Sequence, residues 1–181
     1  MLVEMKRLKD EHLNMVMEWR MLPYITKYMN TDPKLDIEQQ RNWYNKIEND
    51  DSQIHWVIYF NNKPIGVINL TDIDNKNKHC SWGYYVADKT SRSLELAINL
   101  EWNLYDYVFD RLDFNRLYNE TFAENKQVVK LHLLCGSKQE GVMRQHIRKN
   151  DKYYDVVVSS ILKDEWLELR KNKEYCKYLF E

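Results

Sequence analysis

His132, Glu120 and His79 are side chains whose types suit proton transfer. An imidazole ordinarily titrates near pH ~6.5, so it can give or take a proton under neutral conditions. A carboxylate with a raised pKa can take a proton through water. His132 shares a helical stripe with Val128, Leu131 and Cys135, and that position equally suits a hydrogen-bonded core histidine. Glu120 lies near the end of a strand-like stretch and His79 opens another that carries Trp82, so each also fits an ordinary strand-end polar group. Arg92 stands just before a long amphipathic run, where a guanidinium can pair with phosphate or stay solvated. Trp43 and Trp82 can wall a small-molecule cleft or fill a core. Cys80, Cys135 and Cys176 are far apart and form no C-x-x-C pair, so neither a metal site nor a disulfide framework is expected.

These residues sit in a chain of 181 residues with 27 Lys plus Arg against 28 Asp plus Glu. That length suits one domain, 1–181, with its own core, and 44% hydrophobic residues exclude wholesale disorder. The balanced charge argues against nucleic acid as a partner, which would demand a basic surplus. Four glycines, Gly66, Gly83, Gly136 and Gly141, are too few and too scattered for a dinucleotide fingerprint or a P-loop. Charges at Lys6, Arg7, Lys9, Asp10 and Glu11 break any signal-peptide stretch, and no apolar run reaches the ~18 residues of a membrane span. A soluble, cytoplasmic protein with reduced thiols is the expectation.

The elements that must position the candidates follow from periodicity and turn chemistry. Val3 to Arg7 reads as a strand, Lys9 to Trp19 as a helix stopping before Pro23, and a second helix runs from an Asp36 N-cap through Ile47. His55 to Phe60 and Ile65 to Leu70 flank Asn61-Asn62 as a hairpin, and His79 to Val86 adds a third strand. Leu94 to Phe109 is a long amphipathic helix, with Ala97, Leu100, Leu104, Tyr105 and Val108 on one face. Arg116 to Phe122 reads as a strand and Asn125 to Cys135 as a helix capped by a left-handed Gly136. Gly141 to Arg148 and Tyr153 to Leu162 form a last hairpin around Asn150-Asp151, and Lys163 to Lys173 reads as a terminal helix. The expected class is α/β: a mixed, mainly antiparallel central sheet flanked by helices.

Two stretches are more specific. Asn125-Lys126-Gln127-Val128-Val129-Lys130-Leu131-His132, ending in Cys135-Gly136-Ser137, precedes Glu140-Gly141-Val142-Met143-Arg144-Gln145-His146. Together with the element order they resemble the GNAT superfamily of acetyl-CoA-dependent N-acetyltransferases, in its ribosomal-protein-acetyltransferase-like branch. Glu18-Trp19-Arg20, Lys27-Tyr28-Met29, Trp43, Asp72-Ile73-Asp74 and Cys80 to Val86 are most similar to the PseH type, which acetylates the 4-amino group of a UDP-linked 4-amino-4,6-dideoxy sugar.

The resemblance implies acetyl-CoA as co-substrate, no metal, a small-molecule nucleotide-sugar acceptor and direct transfer in a ternary complex. It leaves a homodimer open. It assigns the cofactor arm to Tyr84, Tyr85 and Val86, on a strand that splays from its neighbour, with Gly83 as a bulge. It assigns the pyrophosphate to Arg92, Ser93, Leu94, Glu95, Leu96 and Ala97, where free N–H groups open the long helix. Glu95 departs from the family's central glycine, so either it turns outward or coenzyme binding is weakened. Asn125 also touches the cofactor in the family and is at least an N-cap. His132 stands where most relatives have Tyr and becomes the acid for the departing thiolate, with Glu120 a base candidate. Arg20, Met29, Gln40, Trp43 and Trp82 become the acceptor's clamp and walls. Alternative readings are a protein N-terminal acetyltransferase and a non-catalytic binding protein with a degenerate pyrophosphate loop.

Overall fold

The computed structural model describes residues 2–181, which build one eight-stranded sheet with helices on both faces. In chain order the elements are β1 (Val3–Arg7), α1 (Leu13–Arg20), α2 (Pro23–Thr26), α3 (Ile37–Glu48), β2 (Ile54–Phe60), β3 (Lys63–Asp74) and β4 (His79–Val86). They continue with α4 (Leu94–Asp106), β5 (Arg116–Phe122), α5 (Lys126–Leu134), β6 (Lys138–Lys149), β7 (Lys152–Leu162), α6 (Lys163–Leu169) and β8 (Leu179–Phe180). The strand order is β6-β7-β5-β4-β3-β2-β1-β8, antiparallel except for β4 with β5 and β1 with β8. Among the described residues no helix is long and apolar enough to cross a membrane.

Local chemistry accounts for most boundaries. Asp36 caps α3 by accepting from the Gln39 backbone N–H while Gln39 reaches back to the Asp36 N–H, a reciprocal capping box. Asn61 and Asn62 turn the β2–β3 hairpin with φ of 47° and 65°, and Asn150 and Asp151 turn the β6–β7 hairpin with 49° and 59°. Gly136 ends α5 at φ 109°.

The differences from the sequence expectation are local. The first helix is split, a 3₁₀ turn over Asp10–His12 leading into α1, and Pro23 opens the short helix α2 as well as following α1. Beyond Asp106 the long helix widens into a π-helical turn, Tyr107–Arg111. The terminal helix is shorter, giving way to a 3₁₀ turn at Arg170–Asn172. Strand β8 was not expected; the buried side chains of Asn99 and Asn103 on α4 bond the backbone of Cys176 and Tyr178 and steer the tail onto β1.

One core lies between the sheet and helices α4 and α6, with Trp56, Ile58, Leu70, Cys80, Trp82, Leu100, Leu104, Tyr105, Phe109 and Trp166 buried in it. A smaller cluster on the opposite face joins Val57 and Val67 to Val16, with Trp19, Trp43 and Tyr85 against it. Strand pleating sends Trp82 and Tyr84 to the first face and Tyr85 to the second.

Candidate active site

The site begins where β4 and β5 part. Their parallel pairing covers His79 with Arg116, Cys80 with Leu117 and Ser81 with Tyr118, and then stops. Past Ser81, β4 continues to Val86 paired only to β3, while β5 continues to Phe122 paired only to β7. The edge of β4 from Trp82 onward therefore presents backbone polar groups to a gap rather than to a strand. Gly83 is not a bulge: it pairs in register with Asn69, and the β3–β4 irregularity lies between Thr71 and Asp74, where Asp72 has φ 50°. The close approach that shapes this region is at Gly66, where an added Cβ would lie 2.1 Å from the Tyr85 carbonyl oxygen.

A cleft of about 990 Å³ runs through this fork. One mouth is lined by Arg92, Ser93, Leu94, Leu96 and Ala97 at the start of α4 and by Asn125, Val128, Leu131 and His132 of α5. The other is lined by Arg20, Met29, Gln40 and Trp43, with His55, Tyr85 and Glu120. The candidate residues read from the sequence line this one cleft except Glu95, which is exposed and outside it, and His79, which sits in the closed β4–β5 seam opposite Arg116 and 3.7 Å from Asp74.

At the α4 mouth, Ser93 caps the helix by accepting from the Leu96 N–H at 3.0 Å. The N–H groups of Leu94 and Glu95 have no acceptor among the described residues, as expected of a first helical turn, and face an anion favourably. Arg92 is already engaged: its Nε and Nη2 donate to the Val86 carbonyl at 2.9 and 2.6 Å, and its guanidinium lies 4.9 Å from the Tyr24 ring centre. Asn125 occupies the N-cap position of α5 but makes no side-chain capping bond. Deeper in the fork, Trp82 Nε1 and Asn119 Nδ2 are buried donors without a partner among the described residues. Such donors suit a ligand carrying carbonyl oxygens, because leaving one unpaired costs ~1–3 kcal/mol.

His132 is buried, with Nδ1 2.9 Å from Glu101 Oε1 on α4 and its ring edge-on to Trp82 at 5.1 Å. Glu101 is fully buried and also accepts from the Tyr105 hydroxyl at 3.0 Å, which in turn meets Ser137 Oγ at 3.2 Å. Burial, then the charge of Glu101, raises the Tyr84 and Tyr105 phenols and the Cys135 thiol well above their usual range. Glu101, Asn119 and Tyr24 are absent from the sequence reading. Glu101 falls on the apolar stripe of α4, four residues from both Ala97 and Tyr105, so helical periodicity carries the signal of a buried carboxylate, while nothing local marks it as the partner of His132.

At the other mouth, Arg20 is half-buried and donates to the Thr31 carbonyl and hydroxyl at 3.3 and 2.9 Å. Burial lowers its pKa, and it has no ion pair among the described residues. His55 bonds Gln53 at 2.9 Å and packs edge-on to Trp43 at 5.4 Å; burial, reinforced by Arg7, lowers its pKa to about 4. Glu120 is exposed on β5 and is the one carboxylate lining the cleft. Glu140, part of the second motif, instead stitches the sheet: it pairs with Arg116 of β5 and Ser160 of β7, which hold its carboxyl at about 2. No group of three or more metal-ligating side chains occurs among the described residues.

Residues 3–138 match the family model described as an acetyltransferase (GNAT) domain. The chain is 25% identical to the uncharacterized N-acetyltransferase p20 of Bacillus licheniformis over 90% of this chain and 93% of that protein. It is 25% identical to the acetyltransferase PseH of Campylobacter jejuni over 69% of this chain and 76% of that one. Its fold superposes on a spermidine N-acetyltransferase from Vibrio cholerae, solved in complex with CoA and spermine, with a TM-score of 0.85 and 23% identity over 91% and 98% of the two chains.

Proposed function

The chain belongs to the GNAT acetyltransferase domain family and is an acyltransferase, and from that premise we propose that it transfers acetyl from acetyl-CoA to the amino group of a nucleotide-linked amino sugar. The observation that carries the acceptor class is Arg20. Its half-buried guanidinium is bonded to Thr31 and feels the charge of Asp32 without pairing directly with it, and the diphosphate of a nucleotide sugar would pair with it bidentately. The surrounding tyrosines and Trp43 offer faces for a base or sugar ring.

Acetyl-CoA, when bound, supplies the activated acyl group. The fork suits it: an unpaired strand edge on β4, buried N–H donors of Trp82 and Asn119, and open helix N–H groups at Leu94 and Glu95. Glu95 is exposed and outside the cleft lining, which supports the reading that its carboxylate turns outward. Arg92 acts by holding the end of β4 to the start of α4, which keeps the mouth in shape. His132 serves as the acid for the leaving sulfur, and Glu120 lies on the acceptor side as the candidate to draw off the amine's proton through water.

A polyamine acceptor, the kind acted on by the spermidine N-acetyltransferase of similar fold, is less well served. A polycation needs carboxylates, and this cleft holds one, Glu120, against two guanidiniums, Arg20 and Arg92. The test is thiol release from acetyl-CoA with a UDP-linked 4-amino-4,6-dideoxy sugar, spermidine or an N-terminal ribosomal peptide as acceptor. The nucleotide sugar is expected to give the highest kcat/KM, with R20A raising its KM about tenfold. Turnover confined to spermidine or to the peptide would overturn the reading.

A further inference from the structure

Glu101 carries no substrate and is not exposed, yet it is a carboxylate buried in an apolar core, which is tolerated only when it is paired. Its surroundings are unusually one-sided. Tyr105 donates to Oε2 and His132 Nδ1 meets Oε1, while the charge of Glu101 helps to raise the Tyr84 phenol and the Cys135 thiol. The phenols and the thiol are held in their protonated forms by burial, so each can donate to the carboxylate but none can neutralise it. Among the described residues the only ion-pair partner of Glu101 is His132. With Oε2 already accepting from Tyr105, Oε1 is left to accept from Nδ1–H, and Nε2 is then the ring nitrogen that bears the exchangeable proton.

We infer that Glu101 is a positioning residue: it fixes His132 as the Nδ1–H tautomer and leaves Nε2 to deliver the proton during transfer. The inference rests on the reading of His132 as the acid. His132 Nε2 gives its proton to the leaving sulfur as the C–S bond breaks, its electron pair going to sulfur, while the C–N bond forms. The nitrogen's surplus proton passes to water, and a proton from solvent returns the ring to its charged form. Tyr105 and Ser137 extend the arrangement by keeping the carboxylate from rotating away. Trp82 packs against the ring and fixes its plane.

The test reads the ring directly. Nitrogen-15 NMR of histidine-labelled protein reports the tautomer of His132 without any ligand. The wild-type spectrum is expected to show Nδ1–H at high pH; Nε2–H would overturn the inference at once. In E101Q the Gln amide can donate to Nδ1, so the tautomer is expected to switch. Its kcat should fall about 10²-fold with little change in KM. E101D, which keeps the charge, should recover part of the rate, and should do so even if E101Q folds poorly. Unchanged tautomer and unchanged kcat in a folded E101Q would overturn the role of Glu101. H132Q separates the two layers: full activity in H132Q would overturn the acid reading itself, whatever the tautomer of the wild type.

Discussion

Lys149 Nζ lies 2.9 Å from Asp32 Oδ1 and 2.6 Å from the Thr26 carbonyl oxygen, so the end of β6 is clamped to the loop that follows α2. Asn150 adds a bond to Asp32 Oδ2 at 2.6 Å. Thr31 in the same loop receives the Arg20 guanidinium, so the clamp braces the Arg20 wall of the cleft against a hairpin from the other half of the sheet. K149A removes a buried cation while Asp32 keeps Asn150. The expected result is an acceptor KM raised roughly fivefold, about 1 kcal/mol, with kcat within about twofold. Steady-state kinetics at saturating acetyl-CoA checks it, and a fall in kcat alone would show that the clamp serves the chemistry instead.

G66A should destabilise the fold strongly. The added Cβ meets backbone on β4, 2.1 Å from the Tyr85 oxygen and 2.9 Å from the Val86 Cα, and backbone cannot swing aside as a side chain does. A loss of roughly 2–4 kcal/mol is expected from urea unfolding. A loss below about 0.5 kcal/mol would mean that β3 and β4 slide apart at low cost.

Acid should weaken the protein through His55. Its pKa falls from an ordinary 6.5 to about 4 in the folded state because burial opposes the charge. The unfolded chain therefore binds the extra proton first, and stability drops as pH falls from about 6.5 to about 4, then levels as far as this group is concerned. The full drop is on the order of 3 kcal/mol. Comparing urea midpoints of wild type and H55N at pH 7 and pH 4.5 isolates it: the variant should lose less on acidification.

E95Q should leave coenzyme affinity within about twofold, since an exposed side chain outside the cleft is screened by solvent. Titration calorimetry with CoA decides the matter. A tenfold tightening would place the carboxylate against the phosphates and restore the view that this loop is impaired.

How much of this was readable beforehand follows from what each residue depends on. Strand β5 was bounded at Arg116 and Phe122 as observed, and the Asp36 cap and the Asn61-Asn62 turn were visible because their chemistry is local. The four-residue α2 and two-residue β8 carry too few residues for any period to register, and β8 depends on distant anchors: Asn99 and Asn103 on α4, Trp56 and Arg111. In the cleft, the resemblance named residues that converge, since it encodes a fold already solved elsewhere. It could not say what occupies them: Arg92 grips a carbonyl, and Glu140 serves the sheet rather than the site. The pairing of Glu101 was out of reach because its partner lies on a helix 31 positions later, although its place on the apolar stripe of α4 already set a carboxylate in the core.

The fork has a mechanical side as well. Three strands on one flank and five on the other are stitched edge to edge by three residue pairs, His79 to Ser81 against Arg116 to Tyr118. A guest that lays its own amides along the bare margin of β4 would lengthen that seam, so a molecule consumed in each catalytic cycle would also be a temporary strand of the sheet, and the protein would be stiffest while loaded.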